Sequence, residues 1–269
     1  MSARSFGQNL FKRLGWDVRR TAYPSSEEVL LTKFLSVARP AAVFDVGANI
    51  GFFVLYLNRC LRDASLFAFE PIPETFEVLE RNVARHNKLD VKLFNLGLSR
   101  EPGTATFTYF PRMNVASTMY PNNTPSFRRN SRRFVLDEMR KRGGVLRFLL
   151  ACTPALLWWP VTEIVRRYYQ TTTTVTCQLK TISQVIDEHK LARIDLLKVD
   201  AEGAEHDVMA GIRDEHWPLI RQAVVEVHDG HDGLQKMLQV LHSHGFSTQD
   251  ELPMPDVSHL SLVYAVRDK

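Results

Sequence analysis

Apolar runs and amphipathic stretches alternate along the chain. Uninterrupted apolar runs of about four to eight residues are typical of strands buried on both faces, whereas apolar residues spaced three to four apart are typical of helices. A helix is predicted at 52–57, and another carries the stripe Phe76, Leu79 and Val83. This order predicts a parallel sheet with helices on both faces, a doubly wound α/β domain. The predicted strands are residues 42–46, 66–69, 91–98, 194–199, 223–227 and 260–266.

The strand–helix pattern pauses at about residues 111–170 and then resumes. Thr-rich segments at 104–109 and 174–179 alternate apolar and polar positions, which predicts two strands that flank an insertion. Residues 1–40 form a basic, amphipathic N-terminal segment with one predicted helix. We therefore predict a single domain over residues 41–269 that a helical insertion interrupts.

A glycine turn follows the first predicted strand, at the sheet edge where doubly wound folds bind their ligands. Gly47 permits a tight turn, and Gly51 lets the next helix begin against a ligand without an intervening side chain. Glu70 ends the second strand, 23 positions after Gly47. A carboxylate at about 20 residues from such a turn binds both hydroxyls of a ribose. These residues predict a ligand that contains adenosine.

The turn also favours one adenosine ligand over another. A dinucleotide-binding loop has the pattern G-x-G-x-x-G and cradles a pyrophosphate, but residues 47–51 lack the third glycine. Asp45 precedes Gly47 by two residues, and its charge suits an ammonium group rather than a pyrophosphate. S-adenosylmethionine carries an ammonium and a sulfonium and no phosphate. The turn therefore favours this donor and argues against a nicotinamide-dependent dehydrogenase.

The chain resembles the FkbM-type methyltransferases in four short segments. They are DVGANIG at 45–51, FEP at 69–71, LLKVDAEGAE at 196–205 and EVH at 226–228, of which the third is the most specific. The resemblance spans about residues 41–269 without the insertion. This family comprises class I S-adenosylmethionine-dependent enzymes, mostly O-methyltransferases, so the resemblance implies a methyltransferase domain here.

The resemblance also implies a fold and a donor site. The fold is a Rossmann-like sheet of seven strands, mostly parallel, whose last strand is antiparallel. The glycine-turn residues are implied to line the methionine part of the donor, and Glu70 is implied to hold its ribose. The donor-binding residues that we predict are Asp45, Gly47, Asn49, Gly51, Glu70, Pro71, Asn95 and Asp200.

Methyl transfer to a hydroxyl benefits from a base that removes the proton. His228 is the first candidate because it follows a predicted strand and titrates near neutrality, although a structural histidine bonded to a loop is the alternative. Asp200 could orient the acceptor or the donor's amino group, and Glu202 is the third catalytic candidate. Glu205 more simply complements a helix dipole, and Lys198 is expected to pair with a carboxylate inside a buried strand.

A metal site is a second interpretation of the same strand ends. Asp200, Glu226 and His228 are weak candidate ligands for Mg²⁺ or Mn²⁺, which accept carboxylate and imidazole ligands. The alternative is that the repeated His-Asp-Gly at 228–233 forms a capped turn before a helix. The sequence favours the turn, so S-adenosylmethionine is the cofactor that we predict, with a divalent metal as the less favoured alternative.

Charge is unevenly distributed between segments of the chain. Residues 1–20 carry five Lys or Arg and one acidic residue, and residues 112–147 carry nine Lys or Arg and two acidic residues. Because the net charge of the whole chain is +4, the remainder is net acidic. Basic segments on an acidic body indicate an anionic partner or surface, and a solvated arginine-rich helix face is the alternative.

The insertion combines basic clusters with an uncharged stretch at 148–161, which contains Trp158 and Trp159 and is too short to span a bilayer. Residues 128–169 and the N-terminus fit elements that lie in an anionic membrane interface, which would suit a lipid-linked acceptor. A lid over the active site or a homodimer interface explains the same pattern. The acidic body disfavours nucleic acid as a partner.

Cysteine content and the N-terminus indicate the compartment. Cys60, Cys152 and Cys177 are too few and too scattered for a disulfide framework or a zinc site. Residues 1–20 lack the apolar core of a secretory signal. We therefore expect a cytoplasmic protein, with a peripheral position at the inner membrane face as the alternative.

From the sequence we expect methyl transfer from S-adenosylmethionine to a hydroxyl on a sugar, glycolipid or natural-product intermediate. One alternative is N- or carboxyl-methylation with the same donor. Another is a membrane-recruited module that binds the donor without turnover. The residues of the turn and the strand ends do not distinguish these acceptors, because the insertion would shape the acceptor pocket.

Overall fold

The computed structural model describes residues 42–86, 88–109, 172–253 and 260–267. The predicted N-terminal segment at 1–40, with its helix, and the predicted insertion at 111–170 lie outside the described residues. Cys152, Trp158 and Trp159 lie outside them as well. Within the described part of the chain, no helix is long and apolar enough to cross a membrane.

The main sheet contains seven strands in the order β3-β2-β1-β7-β8-β10-β9. The five strands β3, β2, β1, β7 and β8 pair in parallel with their neighbours. Strand β10 is antiparallel to β8 on one side and to β9 on the other. The predicted mostly parallel sheet with an antiparallel last strand is therefore confirmed. Its strands are β1 Ala42–Val46, β2 Ser65–Phe69, β3 Asp90–Phe94, β7 Leu196–Val199, β8 Gln222–Val227, β9 Phe246–Pro253 and β10 Ser261–Arg267.

Helices cover both faces of this sheet because alternate strand residues enter two separate cores. Val43 of β1 packs with the helices α1 and α2, whereas Phe44 packs with α3, α4 and α5, and both side chains are fully buried. Burial of one such side chain stabilises the fold by about 1.5–3 kcal/mol. The helices are α1 Phe52–Cys60, α2 Pro73–His86, α3 Ile182–His189, α4 Glu205–Ala210 and α5 Gly230–Ser243.

A second, three-stranded sheet lies beside the first. It contains β4 Gly97–Leu98, β5 Gly103–Tyr109 and β6 Thr173–Lys180 in the order β4-β6-β5. The two strands that were predicted to flank the insertion are confirmed as β5 and β6, which pair antiparallel. Tyr109 is paired with Thr173, so the two ends of the intervening segment lie side by side.

The single strand predicted at 91–98 is wrong. The chain leaves the main sheet after Phe94, and β4 pairs instead with β6. The side chain of Asn95 accounts for the break, because its amide donates to the carbonyls of Glu70 at 2.9 Å and Pro71 at 3.2 Å. These bonds draw the chain across the end of β2 and towards the small sheet.

Candidate active site

A cleft lies at the carboxyl ends of β1, β2 and β7, where the strand order of the main sheet reverses. Its volume is about 680 Å³ when the solvent-open part of the cleft is included. Apolar residues of the small sheet, including Leu98, Phe107 and Leu179, form one wall. The predicted donor-binding residues that line the cleft are Gly47, Asn49, Glu70, Pro71 and Asp200.

The glycine turn packs tightly between two strands. Gly47 has a φ of +78° and its N–H donates to the carbonyl of Phe69 at 3.0 Å. A Cβ atom on Gly47 would lie 1.8 Å from the backbone oxygen of Asp200, so only glycine fits this position. Gly51 has a φ of +91°, and a Cβ there would lie 2.7 Å from a methyl group of Leu79.

Glu70 follows β2 and lines the cleft, where it is predicted to hold the ribose of the donor. It is 6% exposed, and its two oxygens accept hydrogen bonds from the N–H groups of Asn49 and Ile72, each at 3.0 Å. Burial raises the pKa of Glu70 to about 7, although both of these bonds favour the charged form. Each carboxylate oxygen still has a lone pair that can accept a bond from a hydroxyl.

Asp45 lies behind the cleft rather than in its wall. It is fully buried, and one of its oxygens lies 3.1 Å from Nζ of Lys198. The same ammonium lies 3.6 Å from Asp200 and 3.4 Å from the carbonyl of Gly47. Burial keeps the pKa of Asp45 above its usual value in spite of Lys198. The predicted pairing of Lys198 is confirmed, and it links the glycine turn to the end of β7.

The residues of the cleft fit S-adenosylmethionine better than a dinucleotide. Asp200 places a carboxyl group beside the turn, and Glu70 offers acceptors for ribose hydroxyls. Among the described residues that line the cleft, none is Lys or Arg. A pyrophosphate would lack a cationic partner there, whereas an ammonium and a sulfonium would meet carboxylates. The direct roles of the individual donor-binding residues stay predictions.

His228 and three carboxylates lie together beside the cleft. Its Nδ1 lies 2.9 Å from Glu205, and its Nε2 lies 3.4 Å from Glu202 and 3.8 Å from Glu226. Glu202 also lines the cleft, and it therefore stands between the ligand space and His228. The three catalytic candidates, His228, Asp200 and Glu202, are thus brought to one place by the ends of β7 and β8.

Two groups in this cluster have pKa values shifted far from their usual range. Burial disfavours the charged ring of His228, but the hydrogen bond and charge of Glu205 outweigh it and raise the pKa of His228 to about 10. Burial and the charge of Asp200 raise the pKa of Glu202 to about 8. At neutral pH the ring of His228 is therefore protonated on both nitrogens and positively charged. Glu202 is the group of the pair whose pKa lies nearer to neutral pH.

The candidate metal ligands are also close together. Asp200, Glu226 and His228 each place one ligand atom within 4.8 Å of the others. Carboxylate oxygens and an imidazole suit Mg²⁺ or Mn²⁺, but the charged ring of His228 would have to lose its proton before it could bind an ion. The metal site stays a prediction, and the ion pair of His228 with Glu226 at 3.8 Å already joins two of the three candidate ligands.

In the structure, Glu205 and the small sheet contribute more to the site than the sequence predicts. Glu205 contacts His228 and two backbone N–H groups in addition to lying at a helix start. The signal for its importance is the second glutamate of the segment 202–205, three residues from the first. Phe107 and Leu179 line the cleft, and the alternation at 104–109 and 174–179 already indicated that one face of these strands is buried.

A doubly wound sheet with an antiparallel strand β10 beside its edge, and a carboxylate-lined cleft at its switch point, is the fold of the class I methyltransferases. The family model for the methyltransferase FkbM domain matches residues 45–248. Methyltransferase 1 of Beauveria bassiana (strain ARSEF 2860) is 32% identical over 88% of this chain and 87% of its own length. Methyltransferase sdnD of Sordaria araneosa is 35% identical over 74% of this chain and 70% of its own.

The relative named 31-O-demethyl-FK506 methyltransferase FkbM, from Streptomyces tacrolimicus, is 33% identical over 78% of this chain and 74% of its own length. The chain belongs to the FkbM methyltransferase family and is an S-adenosylmethionine-dependent methyltransferase. Segment 196–205 is the most specific part of the resemblance. It contains the cleft-lining residues Asp200, Ala201, Glu202 and Ala204.

Proposed function

We propose that this methyltransferase transfers a methyl group to a hydroxyl oxygen of a sugar, glycolipid or natural-product intermediate. The observation that carries the proposal is the Glu202–His228 pair, in which a cleft-lining carboxylate with a pKa of about 8 lies 3.4 Å from a charged imidazole. An alcohol is a poor nucleophile until it loses its proton, so a proton acceptor at the cleft favours a hydroxyl acceptor.

The relative from Streptomyces tacrolimicus supports the same acceptor class. Its name describes a methyltransferase that acts on 31-O-demethyl-FK506, a natural product named for an oxygen without its methyl group. Its identity to this chain, 33%, extends through most of both sequences. We propose oxygen as the acceptor atom here because the proton-accepting pair beside the cleft supplies what oxygen methylation requires.

Donor binding would use the glycine turn and Glu70. When bound, S-adenosylmethionine supplies a methyl group that its sulfonium already activates for transfer. Glu70 accepts hydrogen bonds from the ribose hydroxyls, and Lys198 holds Asp200 at the edge of the cleft, where it can face the ammonium. The apolar wall at Leu98, Phe107 and Leu179 excludes water from one side of the cleft.

The proton step would belong to Glu202 and His228. Methylation of the acceptor oxygen would release its hydroxyl proton, and the ionised carboxylate of Glu202 would accept that proton. His228 keeps its own proton and stabilises this carboxylate by charge. A base whose pKa lies near the working pH is the most effective, which Glu202 satisfies.

The proposal is tested with S-adenosylmethionine that carries a radiolabelled methyl group. The protein is incubated with an extract of its source cells, with and without EDTA, and the products are separated into lipid, small-molecule and macromolecular fractions. Label in a form that resists mild alkali supports an ether oxygen, whereas label released by alkali indicates a carboxyl ester. Label on nitrogen, recognised by its charge in acid, would favour the alternative N-methylation.

Variants identify the group that accepts the proton. Glu202→Gln is expected to reduce turnover by about 10²- to 10⁴-fold, with donor affinity little changed. Glu215→Gln is the matched control, because Glu215 is exposed and outside the cleft. Equal turnover in both variants would contradict the role of Glu202. Donor binding without label in any fraction would instead support a binding module without turnover, and loss of label in EDTA would support the metal site.

A further inference from the structure

We propose that Glu205 is a positioning residue, which holds the loop that carries Glu202 and the ring of His228 in one fixed arrangement through a single carboxylate oxygen. The inference deepens the proposed function, since it concerns how the proton-accepting pair is built. It assigns to Glu205 a task that a helix-dipole carboxylate would not perform.

The contacts of Glu205 converge on one atom. Glu205 is fully buried, and its Oε1 accepts hydrogen bonds from the N–H of Ala201 at 3.1 Å and from the N–H of Gly203 at 2.9 Å. The same oxygen lies 2.9 Å from Nδ1 of His228. One buried carboxylate therefore joins two strand ends, that of β7 through the loop and that of β8 through the histidine.

The loop between these contacts has an uncommon backbone conformation. Glu202 has a φ of +49° and Gly203 a φ of +101°, so two consecutive residues lie in the left-handed region. A residue other than glycine is strained in this region, and surrounding contacts must hold it there. The bonds from Glu205 to Ala201 and Gly203 flank Glu202 on both sides and supply that support.

Glu205 also determines which ring nitrogen of His228 faces the cleft. Because Nδ1 is engaged by Glu205, Nε2 is the nitrogen that faces Glu202 and Glu226. A histidine whose second nitrogen is bound by a carboxylate is fixed in orientation as well as in tautomer. The side chain that lines the cleft and the ring that stabilises it are thus both oriented by Glu205.

Charged groups around His228 come from every element packed against it. Glu202 and Glu205 belong to the loop after β7 and the start of α4, Glu226 belongs to β8, and Asp200 ends β7. Lys198 balances part of this charge through Asp200. Of these groups Glu205 lies closest to the ring, since its Oε1 is 2.9 Å from Nδ1 of His228.

The experiment compares Glu205→Gln with Asp207→Asn. Both carboxylates lie in the first turn of α4, but Asp207 pairs with Arg100 at 2.8 Å, whereas the hydrogen bond to His228 comes from Glu205. If Glu205 only complements the helix dipole, the two variants behave alike. The readout is the ¹⁵N NMR spectrum of histidine side chains, in which His228→Gln identifies the signal of His228 among nine histidines.

In the wild-type protein and in Asp207→Asn we expect Nδ1 of His228 to carry a proton that is hydrogen-bonded to Glu205. In Glu205→Gln we expect the Nδ1 signal of His228 to shift, because its partner is no longer a carboxylate, and the amide protons of Ala201 and Gly203 to exchange with solvent at least about tenfold faster. An Nδ1 without a proton in the wild-type protein would overturn the proposal, and so would equal spectra and equal exchange rates of the two variants. The wild-type spectrum decides the matter even if Glu205→Gln does not fold.

The same variants separate positioning from donor binding. We expect Glu205→Gln to lower kcat by about 10- to 100-fold with the labelled acceptor fraction, and to change the affinity for S-adenosylmethionine by less than about threefold. Equal losses of kcat and donor affinity would contradict a positioning role. The NMR measurement needs no acceptor, so failure of the proposed O-methylation would leave the inference about Glu205 independently testable.

Discussion

At the scale of single residues, Gly47 is the position where the backbone leaves least room. Alanine there would place its Cβ 1.8 Å from the carbonyl oxygen of Asp200, and the strand end of β7 would have to move. We expect Gly47→Ala to weaken S-adenosylmethionine binding by at least about 100-fold or to prevent folding, as measured by calorimetry and circular dichroism. Gly245→Ala is the control, because Gly245 has the same left-handed backbone, with φ +79°, and meets only the flexible end of Arg267.

The comparison separates backbone strain from steric conflict. If Gly245→Ala impairs donor binding as strongly as Gly47→Ala, the left-handed conformation alone explains the loss. The close approach of the Asp200 carbonyl to Gly47 would then not be needed to explain the loss of donor binding. A loss confined to Gly47→Ala supports the close packing of the glycine turn against β7.

Glu70 makes donor binding depend on pH. The unliganded carboxyl has a pKa of about 7, above the ordinary 4.5, and its ionised form is the better acceptor for ribose hydroxyls. Donor affinity should therefore rise between pH 6 and 8, and Glu70→Gln should flatten this rise and weaken binding by about 1.5–3 kcal/mol. Calorimetry at both pH values tests this, with Glu74→Gln, an exposed neighbour on α2, as the control. An unchanged pH dependence in Glu70→Gln would contradict the assignment.

The same shift acts on stability with a defined sign. Because the pKa of Glu70 in the folded protein lies above its unfolded value, its contribution is fully present below pH 4.5 and is lost as the pH rises through 7. A bound donor would offset this loss by engaging the ionised carboxylate. We therefore expect Glu70 to lower the stability of the protein without donor and to raise its affinity for S-adenosylmethionine. Shifted pKa values of this kind are common in binding sites.

At the scale of elements, Lys198 joins β1 to β7. Its ammonium contacts the fully buried Asp45, so replacement by methionine leaves a buried carboxylate without its partner. We expect Lys198→Met to lower the free energy of unfolding by about 3–5 kcal/mol, measured by urea denaturation. Lys180→Met removes a surface pair with Glu188 at 2.6 Å and should cost about 0–1 kcal/mol. Similar costs for both variants would show that the buried network contributes little.

Apolar patterning predicted the central elements well and the peripheral ones poorly. Strands β1, β2, β7 and β8 are buried on both faces, so a short apolar run identifies each of them. Strand β9 pairs only with β10 at the sheet edge and has a mixed sequence, which carries no such signal. Helix α3 begins with a capping box of Thr181 and Gln184, a signal that was present in the sequence and was not used.

The candidate site was predictable because topology gathers strand ends. Parallel strands end at one edge, so Glu70, Asp200 and His228 could be expected to lie near one another from their positions after apolar runs. Their partners could not, because the contact of Glu205 with His228 depends on the path of the loop at 201–203. Shifted pKa values are likewise a property of three-dimensional burial and of neighbours distant in sequence.

At the scale of the whole molecule, the segment between β5 and β6 can be tested separately from the cleft. Tyr109 and Thr173 are directly paired, so replacing residues 110–172 by Asn-Gly should close the hairpin without moving the small sheet. Every described residue that lines the cleft lies outside the deletion. We expect the shortened protein to bind S-adenosylmethionine within about threefold of the full chain, measured by calorimetry, because the predicted donor-binding residues are all retained.

The same deletion tests the predicted contact with an anionic membrane. Residues 110–172 hold eleven Lys or Arg and three acidic residues, and each basic residue near an anionic surface contributes about 1 kcal/mol. We expect the full chain to sediment with phosphatidylglycerol vesicles at low salt, to be released as salt screens the charges, and to ignore phosphatidylcholine vesicles. The shortened protein should lose most of this binding. Vesicle binding that survives the deletion would assign the contact to the basic residues at 1–20, and a full chain that never sediments would leave a lid or a dimer interface as the role of the segment.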